Sequence, residues 1–275
     1  MYTQLQLRDA ARPPVNVATL GRMKAEGEKI ASLTCYDASF AAVVDEAGVD
    51  LVLVGDSLGM VIQGHDTTVP VTLDHVIYHC KAVARGLIRP FLMADMPFMT
   101  YTSREQALQN AVRLMQEGGA KMVKLEGGAG QVEIVEFLAS HDIAVCAHLG
   151  LKPQSVHKTG GFRVQGREEA AAEQMRRDAR ALQDAGADIV LLECIPSKLG
   201  AEITAELHVP VIGIGAGPDT DGQILVLYDM LGITTGRTPK FNRDFMAGGS
   251  TVLAAVEAYV AAVRAREYPA PEHCY

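Results

Sequence analysis

Eight short apolar runs recur along this 275-residue chain, and stretches of helical period separate most of them. The runs are IASLTCYD (30–37), DLVLVGD (50–56), PFLMAD (90–95), KMVKLEG (121–127), IAVCAHLG (143–150), DIVLLEC (188–194), PVIGIGAG (210–217) and ILVLYD (224–229). Runs apolar on both faces suit strands buried on both sides, which is the condition of a parallel sheet covered by helices. Helices are expected over Ser103–Glu117, Glu168–Ala185 and Ser250–Arg266, among others. Strand and helix in alternation give βαβ units, and eight units predict an α/β fold, the (β/α)8 TIM barrel. The eighth strand has little room after the seventh. Three segments, AGVDLVLVGD, GGAKMVKLEG and AGADIVLLEC, share one plan: a helix-ending glycine (Gly48, Gly119, Gly186), a turn, an apolar run and an acid. A glycine in that place takes the left-handed conformation that caps a helix.

No Pro-, Gly- or Ser-rich linker interrupts the pattern, so residues 1–275 read as one domain. A short N-terminal extension (about 1–22) and a loose, Pro-rich C-terminal tail (about 268–275) flank it. The net charge of −8 and the lack of any basic run argue against nucleic acid and anionic membranes. Residues 1–20 hold no apolar signal core, and no run approaches the roughly 20 residues of a membrane helix, so a cytoplasmic protein is expected. Five scattered cysteines without a CxxC pair suggest neither a zinc site nor a disulfide framework.

The strands end in chemistry. Asp37, Asp56, Asp95, Glu126, His148 and Glu193 all stand where an apolar run stops, and a barrel projects them toward one face. Carboxylates gathered at one rim repel one another unless a cation or protons neutralise them. Oxygen ligands without cysteine suit a hard divalent ion, Mg²⁺ first and then Mn²⁺ or Ca²⁺. Any single acid among them could instead cap a helix or shape a turn. Lys124 lies two residues before Glu126 and shares its face, either as a structural ion pair or as a substrate contact. His148 could be a core histidine or a site residue. His75 and His79 fall at helical spacing on an outer helix, and GIGAG (213–217) reads as a tight turn, not a dinucleotide fingerprint. Long loops at 57–72 and 151–169 leave strand C-termini and could cover a site.

The segments TCYDASFA, LVGDSLGMVIQGHDTTVPVTLD, ADMPF, MVKLEGG, CAHLGLKPQSV, GGFRVQGR, LLECIP, IGIGAG…TDGQILV…D and PKF together resemble the ketopantoate hydroxymethyltransferase (3-methyl-2-oxobutanoate hydroxymethyltransferase) family. The resemblance runs from about Met23 to His273. It implies a barrel of the phosphoenolpyruvate/pyruvate type that uses Mg²⁺ to hold an α-keto acid. By motif, Asp56, Asp95 and Glu126 match the metal-site acids, and Ser57 and Lys124 match substrate-binding positions, with Asp56 and Asp95 also bordering substrate. Glu193 matches the catalytic base. The implied reaction is hydroxymethyl transfer from 5,10-methylenetetrahydrofolate to 3-methyl-2-oxobutanoate, an early step of pantothenate synthesis, in a homo-oligomer that is often a decamer. Alternatives are a phosphonopyruvate- or 2-methylisocitrate-lyase-type enzyme on the same barrel, for which a Cys-bearing lid would be expected, and a barrel without activity.

Overall fold

The computed structural model describes residues 13–236, 238–248 and 251–275. Residues 1–12 of the expected extension, and Ser250 of the helix expected over Ser250–Arg266, lie outside the described residues. The rest of the extension leads directly into helix α1 (Val17–Glu26), which buries Leu20 and Met23. Lys24 from α1 donates to Asp221 Oδ2 at 2.7 Å and to the Thr204 carbonyl at 3.0 Å. Asp221 directly precedes a strand, so α1 sits at the N-terminal end of the barrel.

The strands are β1 (Ile30–Thr34), β2 (Leu51–Val54), β3 (Phe91–Asp95), β4 (Met122–Glu126), β5 (Val145–Gly150), β6 (Ile189–Glu193), β7 (Val211–Ile214) and β8 (Gly222–Leu225). They pair in sequence order and close into a parallel barrel, with Ile30 to Leu33 of β1 aligned on Gly222 to Leu225 of β8. Nearly every strand residue is buried, as runs without polar alternation require. Between the strands lie α2 (Ala38–Glu46), α3 (Leu58–Val61), α4 (Leu73–Gly86), α5 (Arg104–Gln116), α6 (Val132–Ala139), α7 (Val156–Thr159), α8 (Glu169–Asp184) and α9 (Ser197–Glu206); α10 (Leu227–Met230) and α11 (Val252–Arg264) come after β8. The three helices expected from periodicity match α5, α8 and α11. Ser103 and Thr251 cap α5 and α11 through their hydroxyl oxygens. Gly48, Gly119 and Gly186 have φ of 85°, 80° and 101°, the left-handed turn that their echo predicts.

No helix stands between β7 and β8 among the described residues; a turn carrying GIGAG joins them. The eighth strand therefore begins at Gly222, two residues before the expected run. The C-terminal tail differs from expectation. Instead of hanging loose, Tyr268 is buried, its hydroxyl donates to the Phe241 carbonyl, and Ser197 N–H donates to the Tyr275 carbonyl at 3.1 Å. Aromatic side chains drive this docking, since Tyr268 meets Phe245 and Tyr259 edge to face. Among the described residues no helix is long and apolar enough to cross a membrane.

Candidate active site

Register decides which charges meet. Aligned residues of a parallel sheet point to the same face. Asp95 aligns with Lys124, Glu126 with His148, and Glu193 with Ile214, so the polar ends of β3 to β6 turn into the barrel together. They open on a cavity of about 1270 Å³ at the C-terminal face, which Asp56, Ser57, Asp95, Lys124, Glu126 and Glu193 all line. The loops after β2 and β5 also face it, through Met60 and His65 on one side and Phe162 and Arg163 on the other.

Within the cavity the groups form a continuous chain. Lys124 Nζ donates to Asp95 Oδ1, and the Asp56 N–H donates to Asp95 Oδ2 at 2.9 Å. Gln154 Nε2 donates to Asp56 Oδ2 at 2.8 Å, while its main-chain N–H donates to Glu126 Oε2 at 3.2 Å. Glu126 Oε1 lies 3.6 Å from His148 Nδ1, and His148 Nε2 lies 3.3 Å from Glu193 Oε2. Ser57 Oγ is 2.8 Å from Tyr36 Oη. Asp56, Asp95, Lys124, Glu126 and His148 are all buried. Burial, reinforced by the charges of Asp95 and Glu126, holds the Asp56 carboxyl well above the usual carboxylate range. Burial pulls the Lys124 ammonium down, but Asp95, Glu126 and Asp56 more than reverse it, so the lysine keeps its proton more firmly than usual. For His148, burial and Lys124 favour the neutral ring, yet Glu126 and Glu193 outweigh them and raise its pKa.

Asp37 does not join this group. Its carboxylate accepts from the Ser39 and Phe40 N–H groups and caps α2, the ordinary role of an aspartate before a helix. His75 completes a capping box with Thr72, and His79 Nδ1 sits 2.7 Å from the Tyr36 carbonyl, so both are structural. Gln154 carries no signal of its own in the sequence, although it lies inside the segment GLKPQSV. Tyr101, which donates to Gln154 Oε1 at 2.5 Å, is equally silent there.

The centre suits a divalent cation by two observations. Among the described residues its buried carboxylates outnumber the single buried lysine, and Glu126 Oε1 is buried without a hydrogen-bond partner. Among the described residues no three carboxylate, histidine or cysteine side chains close on one point as a ready-made cage. Lys124 and Gln154 explain this, because each occupies an oxygen of Asp95 or Asp56. A cation here would touch one or two carboxylates and take its remaining ligands from water or substrate, which is how Mg²⁺ is commonly held.

A closed parallel barrel with its charged groups at the strand C-termini places the molecule among the TIM-barrel enzymes. Solved structures of like fold include phosphoenolpyruvate phosphomutase from Streptomyces platensis subsp. rosaceus (TM-score 0.58, 15% identity, covering 78% of this chain and 81% of that one). A phosphonopyruvate hydrolase complex with oxalate and Mg²⁺ is similar (TM-score 0.59, 13% identity, 77% and 80%). The chain belongs to the ketopantoate hydroxymethyltransferase family, whose model matches residues 14–271. Its relatives named 3-methyl-2-oxobutanoate hydroxymethyltransferase include proteins of Alkalilimnicola ehrlichii (58% identical, covering 96% of this chain and 95% of the relative) and Nitrosococcus oceani (56%, 95% and 99%).

Proposed function

We propose that this chain transfers a hydroxymethyl group from 5,10-methylenetetrahydrofolate to 3-methyl-2-oxobutanoate. Water supplies the hydroxyl, and the products are 2-dehydropantoate and tetrahydrofolate. The observation that carries this reading is the placement of Glu193. It stands at the end of β6 beside His148, on the cavity that also holds the buried Lys124–Asp95 pair. Asp56, Asp95 and Glu126 would hold Mg²⁺, one or two of them directly and the rest through bound water, and the ion when bound supplies Lewis-acid stabilisation of charge at the 2-oxo group.

The chain's own residues do the rest. Lys124 and Ser57 present a fixed cation and a hydroxyl to an anionic keto acid. Asp95 holds the Lys124 ammonium, and Tyr36 holds the Ser57 hydroxyl. Glu193 takes the proton from carbon 3, and that carbon then bonds to the donated one-carbon unit. His148 lies between Glu126 and Glu193, at 3.6 Å and 3.3 Å, and its raised pKa sets a positive charge beside the Glu193 carboxylate. We also propose, from the family resemblance alone, a cytoplasmic homo-oligomer, with ten copies as the size to test by light scattering. Glu193→Gln should slow exchange of the carbon 3 hydrogen with deuterated solvent by about 10²-fold or more, as read by proton NMR. Exchange at the native rate would remove Glu193 as the base.

A further inference from the structure

The cavity has two unlike walls, and the acid centre uses only one of them. Its volume of about 1270 Å³ exceeds the ~300–1,000 Å³ usual for a drug-sized ligand, and so far exceeds what a small branched keto acid needs. The strand ends of β2 to β6 supply the charged wall. The opposite wall comes from β7, β8 and the segments C-terminal to them, with Ile214, Ile224 and Leu225 at its base and Tyr228, Phe241 and Tyr275 above. Tyr228 stacks on Tyr36 at 5.8 Å with the rings 10° apart. Tyr275 belongs to the docked tail, and its phenol faces the Cys194 thiol, one residue beyond Glu193. GIGAG makes space for these rings. Gly215 has φ of 62°, and a Cβ there would stand 2.8 Å from Phe241 Cδ1 and 3.0 Å from Tyr275 Cε2.

One polar group on this wall has no use in the scheme above. Asp229 is buried and lines the cavity. The described residues offer it a hydrogen bond from Thr234 Oγ1 at 2.5 Å and no cation. A buried carboxylate without a counter-ion is costly unless N–H or O–H donors satisfy it. A flat ring that carries an N–H beside an exocyclic amine supplies two parallel donors, which a carboxylate accepts in bidentate fashion. Its faces match aromatic walls.

We propose that Asp229, with the Tyr228, Phe241 and Tyr275 rings, forms the seat of the bicyclic aminopyrimidine ring of the one-carbon donor. This rests on the function proposed above and assigns its second reactant a place. The donor's ring would lie on the β7–β8 side, so that its one-carbon unit faces the keto acid held on the opposite wall. The tail from Tyr268 to Tyr275 then acts as part of the binding wall.

The test is calorimetric binding of tetrahydrofolate, and separately of 3-methyl-2-oxobutanoate with Mg²⁺, to full-length protein. Asp229→Asn keeps an acceptor for Thr234 and should raise the tetrahydrofolate Kd tenfold or more, with the keto acid Kd changing less than twofold. Tyr275→Ala should raise the tetrahydrofolate Kd at least threefold and Tyr275→Phe should not, because the ring and not the hydroxyl makes the wall. Should Asp229→Asn fail to fold, the Tyr275 pair carries the same test. Tetrahydrofolate binding within twofold of wild type in Asp229→Asn and Tyr275→Ala overturns the seat alone, as does equal weakening of both ligands, which marks a merely structural role. Wild-type protein that binds the keto acid but not tetrahydrofolate overturns the seat together with the donor assigned above.

Discussion

Gln154 makes more of the active centre than its chemistry suggests. A primary amide offers two donors and an acceptor, and all are used: Nε2 donates to Asp56 Oδ2 and the Met96 carbonyl, and Oε1 accepts from Tyr101. Gln154→Ala would leave Asp56 Oδ2 and the Tyr101 hydroxyl short of a partner in a buried place. The expected cost is about 1–3 kcal/mol of stability, measured by urea unfolding, with a fall in turnover of tenfold or more. Gln154→Glu should be worse, since it sets a further carboxylate against Asp56. Such a residue was not legible in the sequence, because a lone glutamine in a loop looks like any solvated glutamine. Asp56, Asp95, Glu126 and Glu193 were legible, because a charge that ends an apolar run is an anomaly. Asp37 shows the limit of that signal. It ends a run in the same way, yet its side chain turns back to Ser39 and Phe40 and caps a helix. The two outcomes differ in side-chain direction, which residue type and spacing do not encode.

At the level of elements, the barrel depends on one seam. β1 and β8 must find each other across almost the whole chain, and α11 fastens them. Tyr259 of α11 is fully buried, with its hydroxyl 2.8 Å from the Ser32 carbonyl on β1 and 2.9 Å from the Gln223 carbonyl on β8. Tyr259→Phe should therefore cost about 1–3 kcal/mol, read as a lower denaturant midpoint at an unchanged slope. Ser103→Ala should cost ~1 kcal/mol through the lost cap of α5, and because Ser103 does not line the cavity turnover should change less than twofold. Most elements were open to reading, since burial on both faces leaves no alternation and amphipathic helices leave a clear period. The β7–β8 connection was harder, because a tight turn stands where a βαβ unit has its helix, and no periodic signal separates the two strands. The docked tail was hidden for a different reason. Proline-rich segments look mobile by composition, and the hold on this one is tertiary: Tyr268 against Phe245 and Tyr259.

The molecule as a whole gathers negative charge where it is most costly. A cation that binds the native centre and not the unfolded chain stabilises by mass action, about 2.7 kcal/mol at a hundredfold excess over its Kd. Mg²⁺ should thus raise the melting temperature by roughly 5 °C or more, chelation should reverse the rise, and Asp95→Asn should abolish it. A melting curve indifferent to Mg²⁺ and to chelator would count against the metal reading. The late position of β8 also bears on how the protein is made. Synthesis proceeds from the N-terminus, and the four residues that close the ring, Gly222–Leu225, arrive after seven strands already exist. Until then the growing sheet has two raw edges, at β1 and β7, each a template for pairing with another nascent chain. Chains interrupted just before Gly222 should be disproportionately prone to aggregate and should recruit chaperones, while those extending through α11 should escape. The last fifth of the chain thus decides whether the first four-fifths survives its own synthesis.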